Sequence, residues 1–148
     1  MNFPDKKIHE SPVGWIASHI ERYVVSDGLS GHEWRPGVFS LLITTKGRKT
    51  SRLNRTGLIY GMDQDRYIIV GSNGGRPNHP NWYLNLKKNP DVFLQVKSEK
   101  FSARAKEAQG DERQRLWKMM TEIFPQYEEY KHKTKRKIPV IILEKTDI

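Results

Sequence analysis

A chain of 148 residues bounds the fold to a single core-forming domain, and its 10% aromatic content supplies enough bulk to exclude global disorder. There is no cysteine, which excludes disulfides, thiolate metal sites and cysteine nucleophiles. Lysine and arginine outnumber the acids 26 to 17, and a net charge of +9 suits an anionic partner (nucleic acid, a membrane face or an acidic small molecule) unless it serves solubility alone. No apolar run approaches the ~20 residues that span a bilayer, and the opening MNFPDKKIHE lacks the apolar segment of a signal peptide. The expectation is a cytoplasmic protein, with peripheral contact at the inner membrane face left open.

Ser11-Pro12 reads as a helix start, with a capping hydroxyl followed by a proline at the first helical position. Trp15, Ile16, His19, Ile20, Tyr23 and Val24 then recur at helical spacing, and Gly28 and Gly31 end the run. This amphipathic helix and its linker occupy residues 1–35, ahead of the main body at 36–148. Val38 to Thr45 is a β-branched strand. A basic loop from Lys46 to Asn54 leads to a strand over Thr56 to Met62. The turn at Asp63-Gln64-Asp65 pairs it with a third strand, Arg66 to Val70.

A second loop, Gly71-Ser72-Asn73-Gly74-Gly75-Arg76-Pro77, enters a short helix at His79-Pro80, which Asn89-Pro90 stops. Strands follow at Val92 to Val96 and Phe101 to Ala108. Gly110-Asp111 opens a helix with Leu116, Met119, Met120 and Ile123 on one face. Pro125 interrupts it before an aromatic helix carrying Tyr127 and Tyr130, and the last strand is Ile138 to Leu143. About six strands joined mostly by short turns predict a mainly antiparallel α+β fold. A small closed barrel with peripheral helices fits better than a parallel sheet.

Lys46-Gly47-Arg48-Lys49-Thr50-Ser51-Arg52 combines glycine, cations and hydroxyls between two strands, which suits a phosphate or phosphodiester. It lacks the spacing of a P-loop, so nucleotide hydrolysis is not implied. In the second loop, glycines allow close approach of a flat ligand, and Ser72 or Asn73 could donate to a ring carbonyl; an ordinary crossover loop would look the same. Trp82 is either a wall for such a ring or core. Phe124, Tyr127 and Tyr130 recur at spacing three, as a core stripe or the lining of a mouth. The five histidines show no metal-ligand spacing, and no Gly-x-Ser-x-Gly elbow occurs. The densest basic run, Lys131 to Lys137, would serve a nucleic-acid-binding module, but the aromatics cluster with glycine loops rather than along a basic strand face.

Taken in order, the pattern of Gly47-Arg48-Lys49-Thr50, Ser72-Asn73-Gly74-Gly75, His79-Pro80-x-Trp82-Tyr83-x-Asn85-Leu86, Asn89-Pro90, Phe124-Pro125-x-Tyr127-x-x-Tyr130 and Ile138-Pro139-Val140 resembles the deazaflavin-dependent nitroreductase family, of the flavin/deazaflavin oxidoreductase superfamily. The resemblance spans about Phe39 to Glu144. It implies a split β-barrel that binds coenzyme F420, an 8-hydroxy-5-deazaflavin with a phosphodiester and a polyglutamate tail. It also implies hydride transfer to a quinone, an enone or a nitroaromatic.

Carried over by motif, Arg48, Lys49 and Thr50 hold the phosphate and tail, while Ser72, Asn73, Trp82 and Asn85 surround the ring. Tyr127 and Tyr130 border the acceptor, and Ser72 is positioned to donate to it. The chain departs from the family's usual Gly-x-Pro-Arg after the phosphate loop. Asn54 takes the arginine position with Arg55 beside it, Arg52 is the compensating cation, and Gly57 replaces a proline. FMN on the same fold, or a nucleic-acid-binding module without catalysis, are the alternatives. Split barrels often pair, so a homodimer is a further expectation.

Overall fold

The computed structural model describes residues 8–10 and 14–146. The expected helix start at Ser11-Pro12 lies outside them. Eight strands are described: β1 (Ile8–Glu10), β2 (Glu33–Arg35), β3 (Val38–Lys46), β4 (Leu53–Asp63), β5 (Arg66–Val70), β6 (Asp91–Val96), β7 (Glu99–Glu107) and β8 (Val140–Lys145). Four α-helices accompany them: α1 (Gly14–Ser26), α2 (Asn81–Lys88), α3 (Gly110–Ile123) and α4 (Gln126–Lys133), with one 3-10 turn at Asn73–Gly75.

Six strands close on themselves in the order β3, β4, β5, β8, β7, β6, each antiparallel to its neighbours, so the barrel has no free edge between them. Strand periodicity divides the side chains. Leu41, Ile43, Ile69, Leu94, Ile141 and Leu143 point inward and form the barrel core. Their neighbours Ile68, Val70, Val140 and Ile142 point outward, against Leu116 and Met120 of α3 and Phe124 and Tyr127 on α4's side. Burial on both faces explains why β5 and β8 read as continuous apolar runs instead of alternating ones.

One mouth of the barrel is plugged by α2, whose Tyr83 and Leu86 join the inner core. Proline at the cap position and Asn89-Pro90 after the last turn confine this helix to eight residues. The plug therefore leaves one edge of the helix, with Asn81, Trp82 and Asn85, facing the loop that follows β3.

The N-terminal segment contributes more than a helix and linker. β1 adds in parallel to β4 through Ile8↔Leu53, His9↔Asn54 and Glu10↔Arg55, and β2 pairs with the start of β3. Neither strand exceeds three residues and β2 is exposed throughout, so no alternation in the sequence marks them. Between them α1 packs Ile20 and Tyr23 onto Leu42 on the outside of the barrel. The Tyr23 hydroxyl donates to the Ser40 carbonyl at 3.0 Å and accepts the Lys97 amide at 2.7 Å, which fixes the helix at both ends of a buried bond. Burial pushes the Tyr23 phenol up to about 12.

Gly57, the residue that stands where a proline was expected, lies under α1. A Cβ there would sit 3.0 Å from His19 Nδ1. That imidazole is held in place by the Gly31 carbonyl at 3.1 Å and the Ser40 hydroxyl at 3.3 Å. Glycine on β4 and histidine on α1 are thus a complementary pair. Gly57→Val should destabilise the fold by about 1–3 kcal/mol through overpacking, read by urea unfolding. Adding His19→Ala should recover part of that loss; a Gly57→Val variant as stable as the parent would contradict the contact.

Candidate functional site

The cleft grows from the two loops at the plugged mouth. The connection after β3 is tightened from within. Gly47 N–H donates to the Arg52 carbonyl at 2.7 Å, and Ser51 N–H donates back to Gly47 at 2.9 Å. Ser51 takes a left-handed backbone with φ of 62°. Asn54 Nδ2 closes the base by donating to the Arg52 carbonyl at 3.1 Å. An added Cβ at 47 would meet Thr50 Oγ1 at 3.1 Å and the Arg52 carbonyl and Asn54 Nδ2 at 3.2 Å, so a larger residue would push the loop open by a few tenths of an ångström. The compact backbone throws the Lys49, Thr50 and Arg52 side chains outward, where they are exposed.

Arg48 is fixed by α2. The Asn85 side-chain carbonyl accepts both the Arg48 backbone N–H at 3.2 Å and its guanidinium at 2.8 Å. Asn81 accepts a second guanidinium contact at 3.4 Å, and Lys88 donates to the Arg48 carbonyl at 3.1 Å. Asn85 is itself buried, and its amide nitrogen donates to Thr45 Oγ1 at 3.3 Å. Both ends of that amide are therefore occupied by protein.

The second loop is shaped by three successive positive φ angles, at Asn73 (49°), Gly74 (65°) and Gly75 (79°). Gly71 lets the chain pass Pro139 and Trp82: a Cβ would lie 2.7 Å from Pro139 Cγ. The loop is pinned from outside by Arg136. Its guanidinium donates to the carbonyls of Gly71 (3.0 Å), Ser72 (2.7 Å) and Arg76 (3.1 Å), and to His79 Nδ1 (3.0 Å). The basic run that suggested a nucleic-acid surface thus turns one of its cations inward. Next to it, Tyr83 donates to Glu107 at 2.6 Å, and burial with that carboxylate pushes its phenol up to about 12.

Between the two loops lies a cleft of about 840 Å³, within the size range of small-molecule sites. Of the residues expected to form a site, Arg48, Lys49, Thr50, Arg52, Asn54, Arg55, Asn73, Trp82 and Asn85 line it. Ser72 does not; its side chain is buried, and its carbonyl is taken by Arg136 and by Gly75 N–H. Nor do Tyr127 and Tyr130, which pack with Phe124 in the outer core. Tyr127 is 4% exposed, and burial raises its phenol well above the ordinary value. Their helix instead backs the second loop, with the Tyr130 carbonyl and Lys133 against Gly75. Tyr130 is only half-buried there.

His9, Arg76, His79 and Asn81 also line the cleft, and none was singled out as a site residue from the sequence. Arg136 supports it from behind. The register Val70↔Val140 runs the residues before β8 alongside the Gly71 loop, and that pairing is the signal that would have found Arg136. For His9 there was no signal, because a three-residue parallel strand leaves none.

Arg48, Lys49, Arg52, Arg55 and Arg76 all line the cleft, and among the described residues no Asp or Glu does. Several of the described carboxylates are paired with cations elsewhere. Asp63 takes Arg66 and Arg115, which hold its carboxyl well below the usual range, and Asp91, Glu99 and Glu144 each meet a cation. A cleft rich in cations focuses positive potential and attracts a polyanion. Trp82 supplies an indole wall beside it, which suits a flat aromatic group. Among the described residues, no three His, Asp or Glu side chains gather as a metal-binding group.

The comparisons agree with that chemistry. Residues 15–145 match the family model described as F420H(2)-dependent quinone reductase. An F420H(2)-dependent quinone reductase of Mycobacterium tuberculosis is 41% identical over 128 residues, covering 84% of this chain and 86% of that protein. Among solved structures, an F420-H2 dependent reductase named FDR-A is 40% identical, with a TM-score of 0.66 over 71% of this chain and 93% of its own. Another, described as a domain-swapped dimer, is 37% identical, with a TM-score of 0.69 over 90% of this chain and 100% of its own. A pyridoxamine 5'-phosphate oxidase-like structure from Listeria innocua, at 10% identity and a TM-score of 0.52 over 86% of this chain and 94% of its own, shares the fold alone. With its barrel, its cationic cleft and a match across nearly the whole sequence, the chain belongs to the F420H(2)-dependent quinone reductase family.

Proposed function

We propose that this protein is an F420H(2)-dependent oxidoreductase that reduces a quinone, holding the cofactor in the cleft between the Gly47 loop and the Gly71 loop. The observation that carries the reading is a cleft lined by Arg48, Lys49, Arg52 and Arg76 and walled by Trp82. F420 is a flat ring on a polyanionic tail, and the two halves of the cleft suit its two halves. When bound, the reduced deazaflavin supplies the hydride.

The protein's own contribution is binding and orientation. Arg48, preset by Asn85 and Asn81, offers a guanidinium that needs no ordering when it meets a phosphodiester. Lys49 and Arg52 are exposed, where they can meet a longer anionic tail. Arg55 and Arg76 add charge from the two flanks. Asn73 Nδ2 donates to the Asn78 carbonyl at 3.0 Å and so keeps the loop over the ring side in shape. No side chain need act as a nucleophile, and a proton for the reduced acceptor comes from a polar group at the rim or from solvent.

Two copies of the chain are the expected assembly, supported by the relative described as a domain-swapped dimer. No described helix is long and apolar enough to cross a membrane. FMN and nucleic acid serve as the control ligands.

Tryptophan-fluorescence titration tests the assignment: F420 should bind more tightly than FMN or a short duplex, and equal affinity for all three would contradict it. Lys49→Ala should raise the apparent KM for reduced cofactor several-fold and leave kcat nearly unchanged in a turnover assay. Asn85→Ala should weaken cofactor binding by about tenfold, because Arg48 loses its fixed direction and Thr45 its partner. Wild-type affinity in Asn85→Ala would show that the clamp is immaterial.

A further inference from the structure

The one histidine pinned at this cleft has its chemistry decided by a residue outside the lining. Arg136 Nη1 lies 3.0 Å from His79 Nδ1. A guanidinium has only donors, so Nδ1 must accept, and an accepting Nδ1 carries no proton. The ring proton then sits on Nε2. We propose that Arg136 is a positioning residue that locks His79 in its neutral Nε2–H tautomer, so that His79 presents a fixed hydrogen-bond donor to an oxygen of the bound cofactor.

Several features beyond that distance carry the proposal. The Arg136 guanidinium is itself immobilised by three backbone carbonyls on the Gly71 loop, so it cannot swing away to release Nδ1. The imidazole is held against the Tyr83 ring, with centroids 4.7 Å apart, and Tyr83 is anchored in turn to Glu107. His79 lines the cleft, and its Nε2 has no hydrogen-bond partner among the described residues. The charged groups that act on the ring are Arg136, Glu107 and Lys87. Burial and the guanidinium lower the imidazole's affinity for a second proton, with Glu107 opposing them. A neutral donor also has a use among so many cations: it orients an oxygen without adding another charge to the site. The contact further ties the ring to the loop, since the cation that shapes Gly71 to Arg76 also sets the direction of His79.

The tautomer half of the proposal concerns the free protein, while the donor half rests on the cofactor reading above. Long-range 1H–15N correlation on the uniformly labelled full chain at neutral pH reads the tautomer directly, with His79→Gln assigning the signal. A pyridine-like Nδ1 and a pyrrole-like Nε2 are expected, relaxing to a tautomer mixture in Arg136→Met. A protonated Nδ1 in the wild type would overturn the proposal, and the wild-type spectrum decides even if Arg136→Met does not fold.

In F420 titrations, His79→Gln keeps a donor near the Nε2 position and should bind within about threefold of wild type, whereas His79→Leu should bind about tenfold more weakly. Equal affinity in His79→Leu would remove the donor role. If the wild type binds no F420, the functional reading and the donor role fall together, and the tautomer still decides the Arg136 contact.

Discussion

One buried amide, with Asn81 and Lys88 beside it, ties the helix that plugs the barrel to the cationic loop of this cleft. Asn85 sits on the helix that plugs the barrel, and its carbonyl takes both the main chain and the side chain of Arg48 on the facing loop. Because Tyr83 and Leu86 of the same helix are locked into the barrel core, the position of Arg48 is set by core packing and not by the loop alone. A surface arginine would lose side-chain entropy on meeting an anion; one already directed by a core-anchored amide has lost much of it on folding. That arrangement presets one cation of the cleft.

The opposite wall is built by the same logic with different atoms. The Gly71 loop has few side chains to hold it and three backbone positions in the left-handed region, so its shape needs an external brace. Arg136 supplies it with three carbonyl contacts, and α4 supports it from behind through Tyr130 and Lys133. Both walls therefore depend on a planar, multi-contact polar group, an amide on one side and a guanidinium on the other. Lysine could not replace Arg136, since one ammonium cannot reach three carbonyls and an imidazole in a fixed plane.

Much of this was legible in the sequence, for reasons that can be named. The barrel strands announced themselves through β-branched runs and short turns, and α2 through Pro80 and Asn89-Pro90. The cationic loop alone says little, because basic hairpin connections are common; its place in order with the His79 to Leu86 run is what made it legible. What the sequence hid is what depends on register. Spacing showed that Tyr127 and Tyr130 share a helical face, but not that this face turns to the core and away from the cleft. Arg136 looked like one more member of a basic run until strand pairing carried it against Gly71. Asn85 was named from its motif, but its contacts with Arg48 and Thr45 depend on the barrel bringing the plugging helix against the loop after β3. The Gly57 departure is explained by His19, a partner thirty-eight positions earlier that no local pattern connects to it.

The central claim is electrostatic: the cleft recognises its ligand through the anionic tail as well as through the ring. Calorimetric titration of the protein with F420, and separately with the deazaflavin chromophore lacking its phosphodiester tail, tests this directly at low and high salt. The account predicts that the tailless chromophore binds at least about a hundredfold more weakly and that salt weakens only the tailed ligand. Equal affinity for both ligands, indifferent to salt, would contradict it.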